Sequence, residues 1–290
     1  MSESSQQQND IGTVVGSHYK LVELIDQGGQ AFIYRATDAR GGPDVAVKVL
    51  RENFASDPDF RERLARECQI LYSLQAPAAL KTFGFYWTSD ERPCLVTELL
   101  RGRSLGEHLE ILKNRGSRLS LPSILACMGP ISLALHEAHQ AGVVHRDLKP
   151  DNIFVLDGDD WPVPAKLLDF GFAKFTRLKS FTAQGTVAGS PRYIAPEGWL
   201  GVRELTPAFD VYSFAAVVFT CLTGEPPYPD KRLHVLLKQV TCEPRPQLTL
   251  VRPDLTEVLD QWFYKSLAID PQKRFASLPE QFSALEAAFA

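Results

Sequence analysis

The sequence predicts an α+β fold in two lobes, a small β-rich N-terminal lobe carrying one main helix and a larger helical C-terminal lobe. Three observations lead there. Short β-branched or aromatic runs at Tyr19–Ile25, Phe32–Thr37 and Val45–Leu50 are separated by Gly28-Gly29 and Gly41-Gly42-Pro43, the punctuation of a strand meander. From Ser104 onward apolar residues recur mostly at helical spacing over long segments. The change of pattern falls at Leu99–Gly102 and divides the chain into lobes at 18–100 and 101–290.

The opening segment, rich in Ser and Gln, is too polar to bury a core and is expected to form a disordered tail over residues 1–17. After the three strands, Phe60–Leu74 carries Phe60, Leu64, Glu67, Leu71 and Leu74 at helical spacing, with charges on the other face. A further strand is expected at Cys94–Leu100. Helices are expected at Ser104–Lys113, Leu121–Gln140, Asp210–Thr223, Arg232–Val240, Leu255–Leu267 and Pro279–Phe289.

A length of 290 residues with 44% hydrophobic and 23% charged residues is an ordinary globular composition. The net charge of -4 supplies no broad electrostatic footprint for nucleic acid or anionic membrane, so phosphate binding must come from a local site and no nucleic-acid partner is expected. Cys68, Cys94, Cys127, Cys221 and Cys242 form no Cys-x-x-Cys pair and read as buried free thiols in a reducing compartment. Residues 1–17 lack the features of a signal peptide. The apolar run Val211–Leu222 is far short of the ~20 residues that span a bilayer, and Tyr212 and Ser213 interrupt it, so it reads as a core helix. A cytoplasmic location without a membrane segment is expected.

The segment His145-Arg146-Asp147-Leu148-Lys149-Pro150-Asp151-Asn152 combines acids, cations, an amide and a rigid proline. That chemistry suits phosphoryl transfer: a carboxylate receives a hydroxyl proton, a lysine neutralises a moving phosphate, and an amide oxygen helps a second carboxylate hold Mg²⁺. Asp169-Phe170-Gly171 offers the second carboxylate. Together the two segments resemble the catalytic and metal-binding loops of eukaryotic-type protein kinases, and Lys149 favours the serine/threonine branch. The run Gly-Thr-Val-Ala-Gly-Ser-Pro-Arg-Tyr-Ile-Ala-Pro-Glu (185–197) is similar to bacterial members. The likeness covers residues 19–290.

This resemblance implies a two-lobed kinase-like fold and a set of roles. Asp147 accepts or orients the substrate hydroxyl, Lys149 stabilises the γ-phosphoryl group, and Asn152 and Asp169 hold the metal, Mg²⁺ with Mn²⁺ as an alternative. Val45-Ala46-Val47-Lys48 matches the strand whose lysine contacts the α/β-phosphates, and Glu67, nineteen residues later, is its helix partner. Gln27-Gly28-Gly29-Gln30-Ala31-Phe32-Ile33 resembles the glycine-rich loop in reduced form: Asp26 and Ala31 stand where the family has its first and third glycines, which predicts weaker nucleotide binding. Ile25, Ile33, Ala46 and Phe154, the last where leucine is more usual, are expected to surround adenine. Thr97 takes the gatekeeper position, and the backbone of Glu98 to Leu100 is expected to hydrogen-bond the base.

The remaining correspondences concern support and control. His145, Phe170 and Leu71 match the apolar stack that couples the lobes of kinases, Asp210 the aspartate that braces the catalytic loop, and Ser190 a hydroxyl near the catalytic aspartate. Glu197 of Ala195-Pro196-Glu197 is expected to pair with Arg274. Arg146 and Lys174 are expected to converge beneath the activation segment, where phosphorylated Thr186, with Thr182 as runner-up, would dock on them. The activity implied is transfer of the ATP γ-phosphoryl group to a protein Ser/Thr hydroxyl. A pseudokinase acting as a nucleotide-binding scaffold is the alternative, favoured by the reduced glycine loop. A small-molecule phosphotransferase is disfavoured by Lys149 and the complete Ala-Pro-Glu segment.

Overall fold

The computed structural model describes residues 10–28, 31–51, 62, 69–70, 72–158, 163–169, 191–202 and 204–289. They form two compact units. One holds the described residues up to Leu74 together with Leu80–Arg101; the other holds Gln75–Ala79 and the described residues from Gly102 onward.

In the first unit β1 (Val14–Val15), β2 (Tyr19–Gln27), β3 (Ala31–Asp38), β4 (Val45–Leu50), β5 (Thr82–Trp87) and β6 (Pro93–Glu98) form one sheet in the order β1-β2-β3-β4-β6-β5. Successive side chains of a strand face opposite ways, so each strand feeds both faces. Phe32, Tyr34, Val45, Val47, Val49, Cys94 and Val96 enter one buried cluster. The pairings Ile33↔Lys48 and Ala46↔Thr97 put those four residues together on the other face. Strand β2 bulges at Val22 and Ile25, where two of its positions advance against one of β3. Strand β5 was not anticipated. Of the helix expected at Phe60–Leu74, Glu62, Gln69, Ile70, Tyr72 and Ser73 are described and helical, whereas Glu67 and Leu71 lie outside the described residues.

The disordered tail expected over residues 1–17 is corrected from Asp10 on. Strand β1 pairs with β2, and Asp10 and Arg92 are only 5% and 7% exposed. The Arg92 guanidinium grips both Asp10 oxygens, with Nη1 3.0 Å from Oδ2, and Tyr34 Oη donates to Oδ2 at 2.9 Å. Burial, then the Asp10 charge, pushes the Tyr34 phenol pKa upward. The polar composition misled because the partner of Asp10 lies 82 residues away.

The second unit contains a three-stranded sheet of β7 (Gly102–Ser104), β8 (Ile153–Leu156) and β9 (Ala165–Leu167), none anticipated. Gly102 is required there: its φ is 144° and a Cβ would lie 2.0 Å from the Val155 carbonyl oxygen. Its helices are α1 (Leu105–Asn114), α2 (Leu121–Gln140), α3 (Pro196–Trp199), α4 (Ala208–Thr223), α5 (Leu233–Cys242), α6 (Glu257–Ser266) and α7 (Leu278–Phe289). All six expected helices are present with ends shifted by at most two residues, and α3 is additional. Ser104, placed by the sequence inside α1, is its N-cap: Ser104 Oγ accepts from Glu107 N at 3.1 Å and Glu107 Oε2 accepts from Ser104 N at 2.9 Å.

Helix α4 is buried on every side from Phe209 to Leu222, as its predominantly apolar composition all round demands. Phe219 meets Phe263 of α6 edge-on at 5.3 Å. Helix α2 is, by length and composition, the one described helix long and apolar enough to cross a membrane. Half of its apolar window is buried, with Ile124, Met128, Ile131 and Leu135 at 0% exposure, and it packs on α7, α4 and β9. It is a core helix of this unit. The Glu137 carboxylate of α2 accepts from Gln75 N at 2.8 Å and Ala76 N at 2.7 Å, and Leu167 N donates to Ala78 O at 2.7 Å, so both elements tie down the segment 75–79.

Cys94, Cys127 and Cys221 are buried free thiols, and burial pushes Cys127 up to about 12, where it is inert. Cys242, expected to be buried, is exposed at the end of α5; Cys68 lies outside the described residues.

Replacing Arg92 by Met leaves the Asp10 carboxylate buried without its cation and is expected to lower stability by about 3 to 5 kcal/mol. Urea unfolding checks this. The double variant Asp10→Asn/Arg92→Met should recover part of the loss, because it removes the orphaned charge.

Candidate active site

A single buried carboxylate organises the segment before Asp147. Asp210, in the first turn of α4, is 0% exposed. Its Oδ2 accepts from His145 N at 2.7 Å and from His139 Nε2 at 2.7 Å, and its Oδ1 accepts from Arg146 N at 2.9 Å. Burial alone would raise the pKa of Asp210, but the His139 bond and the Arg146 amide more than offset it and hold the carboxyl below the usual range. This agrees with the bracing position expected of Asp210.

His145 extends the network. A carbonyl can only accept and an amide N–H can only donate, so the 2.8 Å contact of Nε2 with Leu168 O and the 3.3 Å contact of Asp147 N with Nδ1 place the imidazole proton on Nε2. The ring thereby links the Asp147 segment to the residue preceding Asp169. Leu168 N donates to Asn152 O at 2.8 Å, a second link between the same two segments.

Asp147, Lys149 and Asn152 converge. Asn152 Nδ2 donates to Asp147 O at 2.7 Å and to Asp147 Oδ2 at 3.0 Å, while Lys149 Nζ lies 3.1 Å from the same Oδ2. Because the Asp147 carbonyl can only accept, the amide nitrogen must face it, and Oδ1 is the atom of Asn152 left to meet a cation. Pro150 fixes the backbone at the head of the 3₁₀ turn Pro150–Asn152 that carries the amide. The side chains of Asp147 and Lys149 keep 17% and 16% exposure, accessible yet mostly enclosed.

Two residues here hold backbone conformations that side chains disfavour. Arg146 has φ 66° and Asp169 φ 58°, both left-handed. Strain of this kind, of order 1–3 kcal/mol per residue, persists only where surrounding contacts over-determine the chain. At Arg146 the restraint is the Asp210 carboxylate on its own N–H.

In the first unit Ile33, Ala46, Lys48 and Thr97 share the sheet face opposite the core, with Thr97 6% exposed. The Glu98 N–H is committed to Lys81 O at 2.9 Å, and its carboxylate accepts from Lys81 N at 2.8 Å. Leu100 follows β6 and is half-buried. Ile25 sits in the second β2 bulge, 44% exposed. Asp26 pairs with Ile33 and its Oδ1 accepts from Gln27 N at 2.7 Å. Ala31, standing where the family has a glycine, is ordinary strand backbone in β3, 4% exposed and paired with Leu50, so no positive φ is asked of it. Phe154 belongs to the second unit, half-buried in β8 opposite Ser104 and Lys166.

The Glu197–Arg274 pair forms as expected, bidentate at 2.8 Å on each arm. Arg274 donates further to Ala208 O at 2.8 Å and Ala268 O at 2.8 Å and stacks over Tyr212. Its charge is therefore fully used although its side chain is 0% exposed. Gly29, Glu67, Leu71, Phe170, Lys174, Thr182, Thr186 and Ser190 lie outside the described residues. His139 was missed by sequence reasoning. Its signal was a histidine placed among the apolar positions of α2.

Residues 19–283 match the family model described as the protein kinase domain. The serine/threonine-protein kinase PknH of Mycobacterium bovis is 35% identical over 274 residues, which covers 94% of this chain and 44% of that protein. PknA of Mycobacterium tuberculosis is 36% identical over 272 residues, covering 92% of this chain and 60% of that one. The chain thus spans about half the length of the curated relatives it matches. The Mycobacterium tuberculosis PknI kinase domain superimposes with a TM-score of 0.76 at 25% identity, over 96% of this chain and 98% of that one.

Replacing Asp210 by Asn turns one face of the side chain into a donor, so a backbone N–H loses its acceptor, at a cost of about 1 to 3 kcal/mol. The depressed pKa gives the sign of the pH dependence. The Asp210 contribution is complete above the unfolded value of about 3.9 and is lost as pH falls through the lower folded value. Urea unfolding of wild type and Asp210→Asn should differ at pH 7 and converge on acidification below about pH 4.

Proposed function

Because this chain belongs to the protein kinase family, we propose that it transfers the γ-phosphoryl group of ATP to a Ser or Thr hydroxyl of a protein. The observation that carries the reading is the convergence of Lys149 and Asn152 on one oxygen of Asp147, at 3.1 and 3.0 Å. A carboxylate, an ammonium and a carboxamide brought within hydrogen-bond range are what in-line phosphoryl transfer asks of a protein. Asp147 orients the incoming hydroxyl and takes its proton. Lys149 passes from Asp147 to the γ-phosphoryl oxygens as negative charge builds there.

Asn152 Oδ1 and the Asp169 carboxylate would be the protein's oxygen ligands for Mg²⁺, or Mn²⁺ in its place. Such an ion, held by few protein oxygens, is shared with nucleotide phosphates. When bound, that ion neutralises phosphate charge. Lys48, with Glu67 as its partner, positions the α/β-phosphates, while Gly28 and Gly29 cover them. Ile25, Ile33 and Ala46 face adenine beside Thr97, with Glu98 and Leu100 offering backbone groups. Since Glu98 N already serves Lys81, base recognition falls to the Glu98 carbonyl and the backbone of Leu100. The chain is placed in the cytoplasm, where ATP and reduced thiols are found.

Asp147→Asn keeps the shape and the contact with Asn152 but cannot take a proton. Incubation with labelled MgATP and a basic protein is expected to show kcat lowered about 10²- to 10⁴-fold. Equal or absent incorporation in wild type and variant would favour a nucleotide-binding scaffold, and label on metabolites alone would indicate a small-molecule phosphotransferase.

Control is proposed to run through Thr186, with Thr182 second. A phosphate there carries about -1.5 to -2 charges and would dock on Arg146 and Lys174. Intact mass after incubation with MgATP should rise by one or more phosphates, and Thr186→Ala should lower activity severalfold. Unchanged activity in that variant would exclude the site.

A further inference from the structure

We propose that Arg51 is a positioning residue for ATP, holding the Gly28 turn in the shape that meets the phosphates. This rests on the reading that the turn covers nucleotide phosphates. The sequence leaves the turn short of glycine at Asp26 and Ala31, and sequence reasoning attached no role to Arg51. The structure supplies restraint in place of the missing glycines. Strands β2 and β3 close at Gln27↔Phe32, and Gly28 N donates to Ala31 O at 2.9 Å. Asp26 Oδ1 accepts from Gln27 N at 2.7 Å, so part of its charge is spent within the turn.

The pairing Ala31↔Leu50 brings the next residue, Arg51, to the base of the turn. From there Arg51 Nη2 donates to Gly28 O at 3.0 Å, and its guanidinium carbon lies 4.7 Å from the Phe32 ring centroid. Phe32 is 1% exposed in the core cluster, so the ring is a fixed platform for the planar cation. The arrangement is a strut: core, aromatic ring, guanidinium, carbonyl. A peptide unit is planar, so holding the Gly28 carbonyl holds the peptide unit it belongs to. The strut also brings a permanent positive charge to the strand end that carries Asp26. A Cβ at Gly28 would meet nothing within 4 Å, so the space beside the turn is open, and the Arg51 bond to its carbonyl adds to the bond from Gly28 N to Ala31 O.

The test compares Arg51→Met and Arg51→Lys with wild type. Methionine keeps an apolar stem over Phe32 and removes every donor; lysine keeps a donor and the charge without the planar fork. Calorimetric titration with MgATP should show affinity about five- to twentyfold weaker for Arg51→Met, between the scales of a neutral and a charge-assisted hydrogen bond, with partial recovery in Arg51→Lys. The melting temperature without nucleotide should fall by no more than about 2 to 4 °C. In turnover assays KM for ATP should rise in proportion while kcat at saturating ATP stays within about twofold. Affinity of Arg51→Met within twofold of wild type overturns the inference, as does a loss that tracks a lowered melting temperature and is not recovered by lysine. Binding separates this inference from the kinase reading. If wild type binds MgATP, Arg51→Met binds it weakly and neither phosphorylates protein, the strut stands and the activity falls; if wild type fails to bind MgATP, both fall.

Discussion

The second unit depends on one buried carboxylate. Asp210 starts a helix whose residues are enclosed from Phe209 to Leu222, and it meets two consecutive backbone amides and a histidine from another helix. A fully buried charge is costly unless each lone pair has a donor. Here the donors are the backbone amides of His145 and Arg146, joined by the His139 imidazole. The requirement to satisfy Asp210 and the requirement to hold His145 and Arg146 in place are the same set of hydrogen bonds.

From that anchor the unfavourable backbone angle at Arg146 follows. A left-handed residue relaxes unless something over-determines it, and the carboxylate bond to the Arg146 amide does so. His145, held at its own amide, spans to the Leu168 carbonyl and receives the Asp147 amide, so one side chain fixes the relation between the segments bearing Asp147 and Asp169. Polar networks of this kind are rigid because each member is satisfied and each has one arrangement. The Glu197–Arg274 pair repeats the logic at the start of α3, where a buried guanidinium is divided between a bidentate carboxylate and backbone carbonyls.

The first unit solves a different problem. Its sheet must bury one face while presenting polar groups on the other, and the period of two does this without further device: Val45, Val47 and Val49 go inward while Ala46 and Lys48 remain opposite. At the sheet edge, β1 and the Asp10–Arg92–Tyr34 contacts extend the fold beyond the family match, which begins at residue 19. At the other end of β2, the Arg51 strut connects that same core to an exposed turn.

What could be read from the chain alone was whatever depends on local pattern. Helical periodicity located α1, α2, α4, α5, α6 and α7 to within two residues, because a buried stripe at spacing 3.6 is visible along the sequence. Short β-branched and aromatic runs located β2, β3, β4 and β6, and residue order marked Asp147, Lys149, Asn152 and Asp169. The strands β5, β7, β8 and β9 escaped, since three of them are only three or four residues long and depend on partners elsewhere. Tertiary structure alone decided the long-range charges that lie outside the family motifs. Asp10 looks like tail until Arg92 reaches it, His139 like a helix residue until Asp210 arrives, and Arg51 like a solvated end of a strand until it meets Gly28. Composition and period record what a residue prefers, whereas the partner that satisfies a buried charge is chosen by the fold.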